Sequence, residues 1–395
     1  MRPAEPGRRW LRRTVKTGVA LGVLVGLAFG ATGLLRLPSP PDLIRLQTTE
    51  PSAQGSAFAS RPVISSGPVA AFDRDTGRRL PATVPWKGSS IAVPEMLGLT
   101  HTRAFVVLHD GKLVHEWYDD GVTESSRLAS WSVAKSVVSL LVGQAIGRGD
   151  LSEQDRLVDL LPEFRTGGGY DEVTVGDLLD MASGIDVSEN YNPWWPFTGT
   201  ARLLLSTDLP GYLADHRELA FAPGSRAEYR SVDPQLLSMI LARVDGRPLS
   251  QILSEDLWTP IGAETGATWN LDRPDGIEKG FCCLNATARD FARIGQLVLD
   301  GGRVRGTQVV PAAWIRRIST PSRLPLAGWG YSAQWWHAPS SNGDFTAIGV
   351  NGQYIYIDPD ARTVIVKLSD HGTEQDEIET VDAMRAIAES FPTRR

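Results

Sequence analysis

Cysteine is scarce in this sequence. Cys282 and Cys283 are the only two among 395 residues, and they are adjacent. A framework of several disulfides is therefore excluded. Because neighbouring cysteines can be bridged only in a strained geometry, we interpret the pair as small buried apolar side chains, with a vicinal disulfide as the alternative.

Signatures of several other functions are absent as well. The six histidines show no metal-ligand spacing, no phosphate-binding glycine pattern occurs, and the Gly-x-Ser-x-Gly motif of α/β-hydrolases is missing. We therefore expect no metal and no cofactor. With a net charge of −6 and no dominant basic tail, nucleic-acid binding has little electrostatic support.

The N-terminus combines a basic cluster with an uncharged apolar run. The cluster of Arg8, Arg9, Arg12, Arg13 and Lys16 precedes residues 17–35, which carry no charge and are rich in Val, Leu, Ala and Gly. About 20 apolar residues span a bilayer as a helix, and a basic flank stays in the cytoplasm. We therefore predict a cytoplasmic segment at 1–16, a membrane anchor at 17–36 and an extracytoplasmic remainder. A cleaved signal that releases a secreted protein is the alternative.

A stretch rich in Pro, Ser, Ala and Gly follows at residues 37–86. Such a composition buries too little apolar surface to offset the entropy of ordering it. We therefore predict a linker there and one folded domain at residues 87–395. The overall content of 42% hydrophobic and 22% charged residues is enough for a large core.

Strand patterns flank a mostly helical middle region. Residues 104–108 and 113–118 are rich in β-formers and are joined through Asp110-Gly111, a hairpin signal. Residues 353–357 and 363–368 form a second such pair around a turn sequence. This order predicts an α+β fold, in which one antiparallel sheet built from N- and C-terminal strands is flanked by helices. The last of those helices is expected at about 377–389.

The motif Ser132-Val133-Ala134-Lys135 is the only Ser-x-x-Lys in the chain. The apolar run after it predicts a buried helix that begins at Ser132 and ends at two glycines. Ser132 would lie at the positive end of the helix dipole, with Lys135 on the same face. A buried lysine loses its proton more easily, so Lys135 could activate the Ser132 hydroxyl. The alternative is that Ser132 only caps the helix and Lys135 points to solvent.

Two further stretches could complete such a site. Tyr229 follows a Pro-Gly turn, and a phenol near a lysine can pass protons; the alternative is a tyrosine buried in the core. Gly349 and Val350 precede the first C-terminal strand, where a glycine lets a ligand approach the backbone. The N–H groups of Ser132 and Val350 would then form an oxyanion hole; the alternative is a plain transition from loop to strand.

In this order, the three stretches resemble the serine β-lactamase and penicillin-binding protein superfamily. The similarity covers roughly residues 103–391. It is strongest to the class C-like branch, which includes esterases and 6-aminohexanoate-dimer hydrolases. The stretches that carry it are Ser132-Val133-Ala134-Lys135-Ser136, Tyr229-Arg230-Ser231-Val232-Asp233 and Asn285-Ala286-Thr287-Ala288-Arg289-Asp290.

The resemblance implies a β-lactamase-like fold and a cofactor-independent hydrolase that forms an acyl-serine intermediate. It implies that Ser132 is acylated, that Lys135 is the base and that Tyr229 relays the proton to the leaving group. Ser231 would help to hold this network, and Tyr191 would contact the substrate. The substrate implied is a small amide or ester.

One motif of the superfamily is missing from its expected position. The stretch that corresponds to the Lys-Thr-Gly of the superfamily is Ile348-Gly349-Val350, and the one Lys-Thr-Gly of this chain, Lys16-Thr17-Gly18, lies at the N-terminus, far from these motifs in the sequence. Because the lysine of the superfamily motif helps to bind the carboxylate of a penicillin, we predict a linear amide or ester as the substrate. The alternatives are a D,D-peptidase or β-lactamase-type enzyme of the same fold, and a catalytically silent, membrane-anchored binding domain. No feature of the sequence sets an oligomeric state.

Tryptophan is the remaining candidate for substrate binding. An aromatic pocket is one interpretation of the six that lie near these motifs, although packing is the commoner use of this side chain. They are Trp131, Trp194, Trp195, Trp329, Trp335 and Trp336.

Overall fold

The largest sheet has seven antiparallel strands in the computed structural model, which describes residues 6–191, 197–373 and 376–392. The strands among the described residues are β1 (Ser60–Val63), β2 (Thr83–Trp86), β3 (Ser89–Ala92), β4 (Thr102–His109), β5 (Lys112–Tyr118), β6 (Leu128–Ala129), β7 (Ala267–Asn270), β8 (Leu284–Ala286), β9 (Arg303–Val304), β10 (Thr307–Gln308), β11 (Gly330–Ser332), β12 (Trp335–His337), β13 (Phe345–Gly349), β14 (Gln353–Asp358) and β15 (Thr363–Ser369). The order in the large sheet is β11-β12-β13-β14-β15-β4-β5. Strands from both ends of the chain therefore meet at the β15–β4 pair, as predicted.

Helices cover both faces of this sheet and fill the middle of the chain. Those among the described residues are α1 (Pro6–Leu34), α2 (Pro40–Thr48), α3 (Val93–Leu99), α4 (Val133–Arg148), α5 (Leu157–Leu160), α6 (Val175–Leu179), α7 (Gly199–Leu204), α8 (Leu209–Ala214), α9 (Val232–Asp245), α10 (Leu249–Ile252), α11 (Ala288–Leu299), α12 (Ala312–Ile318) and α13 (Glu377–Glu389), with a π-helical turn at Leu253–Trp258 and 3-10 turns at Pro51–Ala57, Pro162–Phe164 and Gly169–Glu172. The arrangement confirms the predicted α+β class.

The central strands are buried on both faces because successive side chains point in opposite directions. In β4, Val106 and Leu108 pack into the core that contains α11, whereas Phe105 and Val107 pack into the core that contains α13. Burial of each such side chain stabilises the fold by roughly 1.5–3 kcal/mol. The unbroken apolar run at residues 104–108 of β4 therefore fits the middle of a sheet with helices on both sides.

A second sheet leads into the start of α4. It has four antiparallel strands in the order β1-β7-β8-β6. β6 pairs with β8 through Leu128 and Ala129, and the N–H of the next residue, Ser130, donates to Leu284 O at 2.8 Å. These bonds hold the turn that places Ser132 immediately before α4.

The structure differs from the linker predicted at 37–86. This stretch contains α2, a 3-10 turn and the strand β1, which pairs with β7 in regular antiparallel register. Composition alone did not predict this ordered structure, because the rest of the fold supplies hydrogen-bond partners for the backbone of the segment. Asn270 Nδ2 donates to Gly55 O at 2.8 Å, and the N–H of Leu271 donates to Ala59 O at 2.7 Å. The proposed domain boundary at residue 87 stays a prediction.

The N-terminal helix α1 covers most of the segment predicted to be a membrane anchor. Within the described part of the chain, no helix has the length and apolar composition needed to cross a membrane. The anchor at 17–36 is therefore not supported. The extracytoplasmic location of the protein stays a prediction.

Candidate active site

Ser132 lies at the junction between a strained turn and the start of α4. The residue before it, Trp131, has a φ of +46°, which L-residues adopt rarely. Ser132 itself has helical angles, and its side chain forms no capping hydrogen bond to the helix. Its Oγ instead accepts a hydrogen bond from Lys135 Nζ at 2.7 Å. The alternative in which Ser132 only caps the helix does not describe this structure.

Lys135 is buried one turn further along α4. Its side chain is 2% exposed, and Nζ also donates to Phe281 O at 2.8 Å. Burial lowers the pKa of Lys135 to about 7, and the charge of Glu189 opposes this shift only in part. A large fraction of this amine is therefore neutral near physiological pH, in contact with the hydroxyl that it would deprotonate.

Tyr229 approaches the same two groups from the segment before α9. Its hydroxyl is hydrogen-bonded to Ser132, and Lys135 Nζ lies 5.0 Å from the centre of its ring. Burial and the nearby Glu189 raise the pKa of Tyr229 above its usual value. Trp336 stacks on the ring with a centroid distance of 5.5 Å. Tyr229 therefore stays a protonated phenol that can donate to a departing group.

Glu189 links the two remaining predicted side chains, and its role was missed by the sequence analysis. Its Oε1 accepts from the N–H of Ser231 at 2.5 Å, and its Oε2 accepts from Ser231 Oγ at 3.1 Å and from the Tyr191 hydroxyl at 2.5 Å. Ser231 therefore contacts the network through a carboxylate. Glu189 lies two residues before Tyr191 in a loop without periodicity, so no local pattern marked it as different from a surface glutamate.

Gly349 ends β13, the strand that borders Ser132, and Val350 follows it. A Cβ added to Gly349 would lie 2.6 Å from Ser130 O and 3.0 Å from Ser132 N. We predicted that this glycine allows a ligand to approach the backbone, whereas in the structure it permits β13 to contact the turn that carries Ser132. The next residue, Val350, lines the same cavity as Ser132. The geometry therefore brings the two predicted oxyanion residues to one site.

A cavity of about 690 Å³ opens over Ser132. This volume is typical of a small-molecule site. Tyr191, Ser231 and Val350 contribute to its wall, and so do residues of α2, α7 and the 3-10 turn at Pro51–Ala57. No cluster of three or more His, Cys, Asp or Glu side chains among the described residues could hold a metal ion.

The two cysteines lie beside this cavity as a vicinal disulfide. Both are buried, as predicted, but the structure matches the disulfide that was the alternative interpretation. The backbone accommodates the bridge because Cys283 adopts a φ of +76°, a conformation that few non-glycine residues take. Cys282 contributes to the cavity wall.

The tryptophans are distributed between the cavity and the core. Trp131 lines the cavity, whereas Trp335 is fully buried and Trp336 supports Tyr229. Trp329 packs edge-on against Trp336 with centroids 5.9 Å apart. Trp194 and Trp195 lie outside the described residues. Of these four described tryptophans, only Trp131 therefore lines the cavity, and the predicted pocket of several tryptophans is not found among them.

The serine–lysine pair, at the start of a buried helix beside an antiparallel sheet, defines a serine hydrolase. Residues 100–389 match the family model described as Beta-lactamase, and the chain belongs to this family. This result confirms the predicted resemblance and the assignment as an enzyme acting on amide or ester bonds.

Individual relatives place the chain more narrowly within that family. It is 32% identical over 288 residues to the 6-aminohexanoate-dimer hydrolase of Paenarthrobacter ureafaciens, covering 68% of this chain and 73% of the relative. A solved structure from Bacillus anthracis, provisionally named a 6-aminohexanoate-dimer hydrolase, has a TM-score of 0.71 at 26% identity and covers 84% of this chain and 91% of that chain. A class C beta-lactamase shares the fold, with a TM-score of 0.60 at 16% identity over 77% of this chain and 95% of that chain.

Proposed function

We propose that the chain hydrolyses a linear amide or ester, with Ser132 as the nucleophile. The observation that carries the proposal is the 2.7 Å hydrogen bond from Lys135 Nζ, whose pKa is lowered to about 7, to Ser132 Oγ. A neutral amine at this distance can accept the hydroxyl proton as Oγ attacks the carbonyl carbon. The backbone N–H groups of Ser132 and Val350 and the hydroxyl of Tyr229 then act in the two steps that follow.

The reaction balances over two steps. Oγ forms a bond to the carbonyl carbon, its proton passes to Lys135, and the N–H groups of Ser132 and Val350 stabilise the negative oxygen. The bond to the leaving group breaks as Tyr229 donates a proton to it and recovers one from Lys135. Water then attacks the acyl-serine, so the acid is released and the Ser132 hydroxyl is restored.

The wall of the cavity argues against a β-lactam as the preferred substrate. Penicillins and cephalosporins carry a carboxylate, and none of the described residues that line the cavity is a lysine or an arginine. We therefore expect slow turnover of a chromogenic cephalosporin compared with p-nitrophenyl butyrate. Faster turnover of the cephalosporin would favour the D,D-peptidase or β-lactamase alternative.

The test of the nucleophile compares the protein with its Ser132→Ala variant. The natural protein should release p-nitrophenol from p-nitrophenyl acetate in a burst followed by steady turnover, and a fluorophosphonate should transfer its phosphonyl group to Ser132 Oγ with loss of fluoride, which mass spectrometry detects. Both signals should be lost in Ser132→Ala and kept in Ser139→Ala, which removes a buried hydroxyl from the same helix. A burst that survives in folded Ser132→Ala would overturn the assignment.

A further inference from the structure

The segment that precedes the family-matched region forms one wall of the cavity. It consists of α2 and the 3-10 turn at Pro51–Ala57, and we call these residues, 40–57, the N-terminal strap. Building on the proposed function, we propose that the strap selects substrates that carry an uncharged aliphatic chain next to the scissile bond. The family match begins at residue 100, so this wall lies outside it.

The strap is fastened to the folded body at both ends. Before it, Arg36 forms an ion pair with Asp208 at 2.9 Å, and its carbonyl accepts from the N–H of Thr207 at 3.0 Å. Within it, Ser52 donates to Asp370 through its N–H at 2.6 Å and through Oγ at 3.0 Å. These contacts hold the strap across the cavity as part of the fold.

The strap also contacts the turn that carries the nucleophile. Trp131 Nε1 donates to Pro51 O at 3.1 Å. Trp131 immediately precedes Ser132 and has the strained φ of +46°. The strap is therefore in direct contact with the residue that precedes the nucleophile.

The strap presents an apolar face to the cavity. Leu43 and Leu46, three residues apart on α2, lie on the same face of the helix, and both line the cavity. Leu204 and Leu205, at the end of α7, and Phe281 also line the cavity. An aliphatic chain bound among these side chains would be removed from contact with water.

The charges around the cavity disfavour a chain that ends in an anion. Among the described lining residues, Glu50 is the acidic one, and none is a lysine or an arginine. A chain that ends in a carboxylate would therefore lose its hydration without gaining a cation in return. A chain that ends in a methyl group has no such cost.

The first experiment measures kcat/KM against chain length in the natural protein. The probes are p-nitrophenyl acetate, butyrate, hexanoate and octanoate for the acyl side, and ethyl, butyl and hexyl acetate for the alcohol side. Burial of one methylene should raise kcat/KM about fourfold in whichever series places its chain in the cavity. No rise in either series would overturn the proposal without any variant being needed.

The second experiment alters the strap. The double variant Leu43→Ala/Leu46→Ala should reduce the rise to less than about twofold per methylene. Ile44→Ala is the matched control, because Ile44 is 63% exposed on the same helix and does not line the cavity. An unchanged slope in the double variant, or an equal loss in Ile44→Ala, would overturn the proposal. If the double variant does not fold, the series in the natural protein decides.

The third comparison tests the charge of the chain. The mono-p-nitrophenyl ester of adipic acid differs from p-nitrophenyl hexanoate by a terminal carboxylate in place of a methyl group. We expect it to react at least about tenfold more slowly, and an equal rate would contradict the proposed selection. A burst on p-nitrophenyl acetate without any chain-length effect would refute the strap proposal alone, whereas no turnover and no adduct on Ser132 would refute the proposed function itself.

Discussion

The protonation state of Lys135 sets the pH dependence that we expect for the enzyme. The residue is 2% exposed, and burial lowers its pKa from 10.5 to about 7. At pH 7 about half of this amine is neutral, whereas an ordinary lysine is neutral in about one molecule in 3,000. Burial therefore raises the concentration of the reactive form by about a thousandfold.

The rate of acylation should follow this titration. The burst rate constant with p-nitrophenyl acetate should rise about tenfold per pH unit up to pH 6 and level off between pH 7 and 8, because only the neutral amine can accept the Ser132 proton. The measurement runs from pH 5 to 9.5, with hydrolysis by Ser132→Ala subtracted. A rate that still climbs tenfold per unit through pH 9, or one that is flat throughout, would refute the role of Lys135.

A neutralised neighbour provides a second check on the same titration. The charge of Glu189 raises the pKa of Lys135, so Glu189→Gln should move the midpoint of the profile to lower pH. Glu50→Gln is the matched control, since Glu50 lies in the cavity wall but does not contribute to that shift. A midpoint that moves upward in Glu189→Gln would show that the carboxylate does not act on Lys135 through its charge.

Two further substitutions test the packing around the site. Gly349→Ala should slow the burst at least about tenfold and lower the free energy of unfolding, measured by urea titration, by about 1–3 kcal/mol, because its Cβ would lie 2.6 Å from Ser130 O. Gly98→Ala, where a Cβ meets nothing within 4 Å, should change neither. Lys367 is fully buried with its pKa lowered to about 7, so between pH 7 and 10.5 the unfolded chain binds a proton that the folded chain lacks. The free energy of unfolding therefore rises with pH there, and Lys367→Met should remove about 1.4 kcal/mol per pH unit of that slope in urea titrations at pH 7, 8 and 9. An unchanged slope would show that Lys367 is protonated in the folded protein.

Local patterns in the sequence determined the framework of the fold. The apolar run after Ser132 predicted a buried helix, and the structure buries α4 continuously from Val133 to Ala145. Asp110-Gly111 predicted the turn between β4 and β5, which form a hairpin. These predictions succeed because periodicity and turn chemistry depend on residues that are close together in the sequence.

The same locality explains the serine–lysine pair. Ser132 and Lys135 are three residues apart, and a helix places such neighbours on one face. The sequence by itself therefore determined that the amine and the hydroxyl could meet. It also showed an apolar setting for Lys135, which is the physical cause of the lowered pKa.

Only the tertiary structure decided what surrounds that pair. Glu189 meets Ser231 across 42 residues, and Ser52 meets Asp370 across 318. Composition predicted a linker at 37–86 because it counts apolar side chains, whereas the strap is held by hydrogen bonds and packing supplied by distant parts of the chain. Contacts between segments far apart in sequence depend on how the layers are assembled, and that information is absent from any local window of residues.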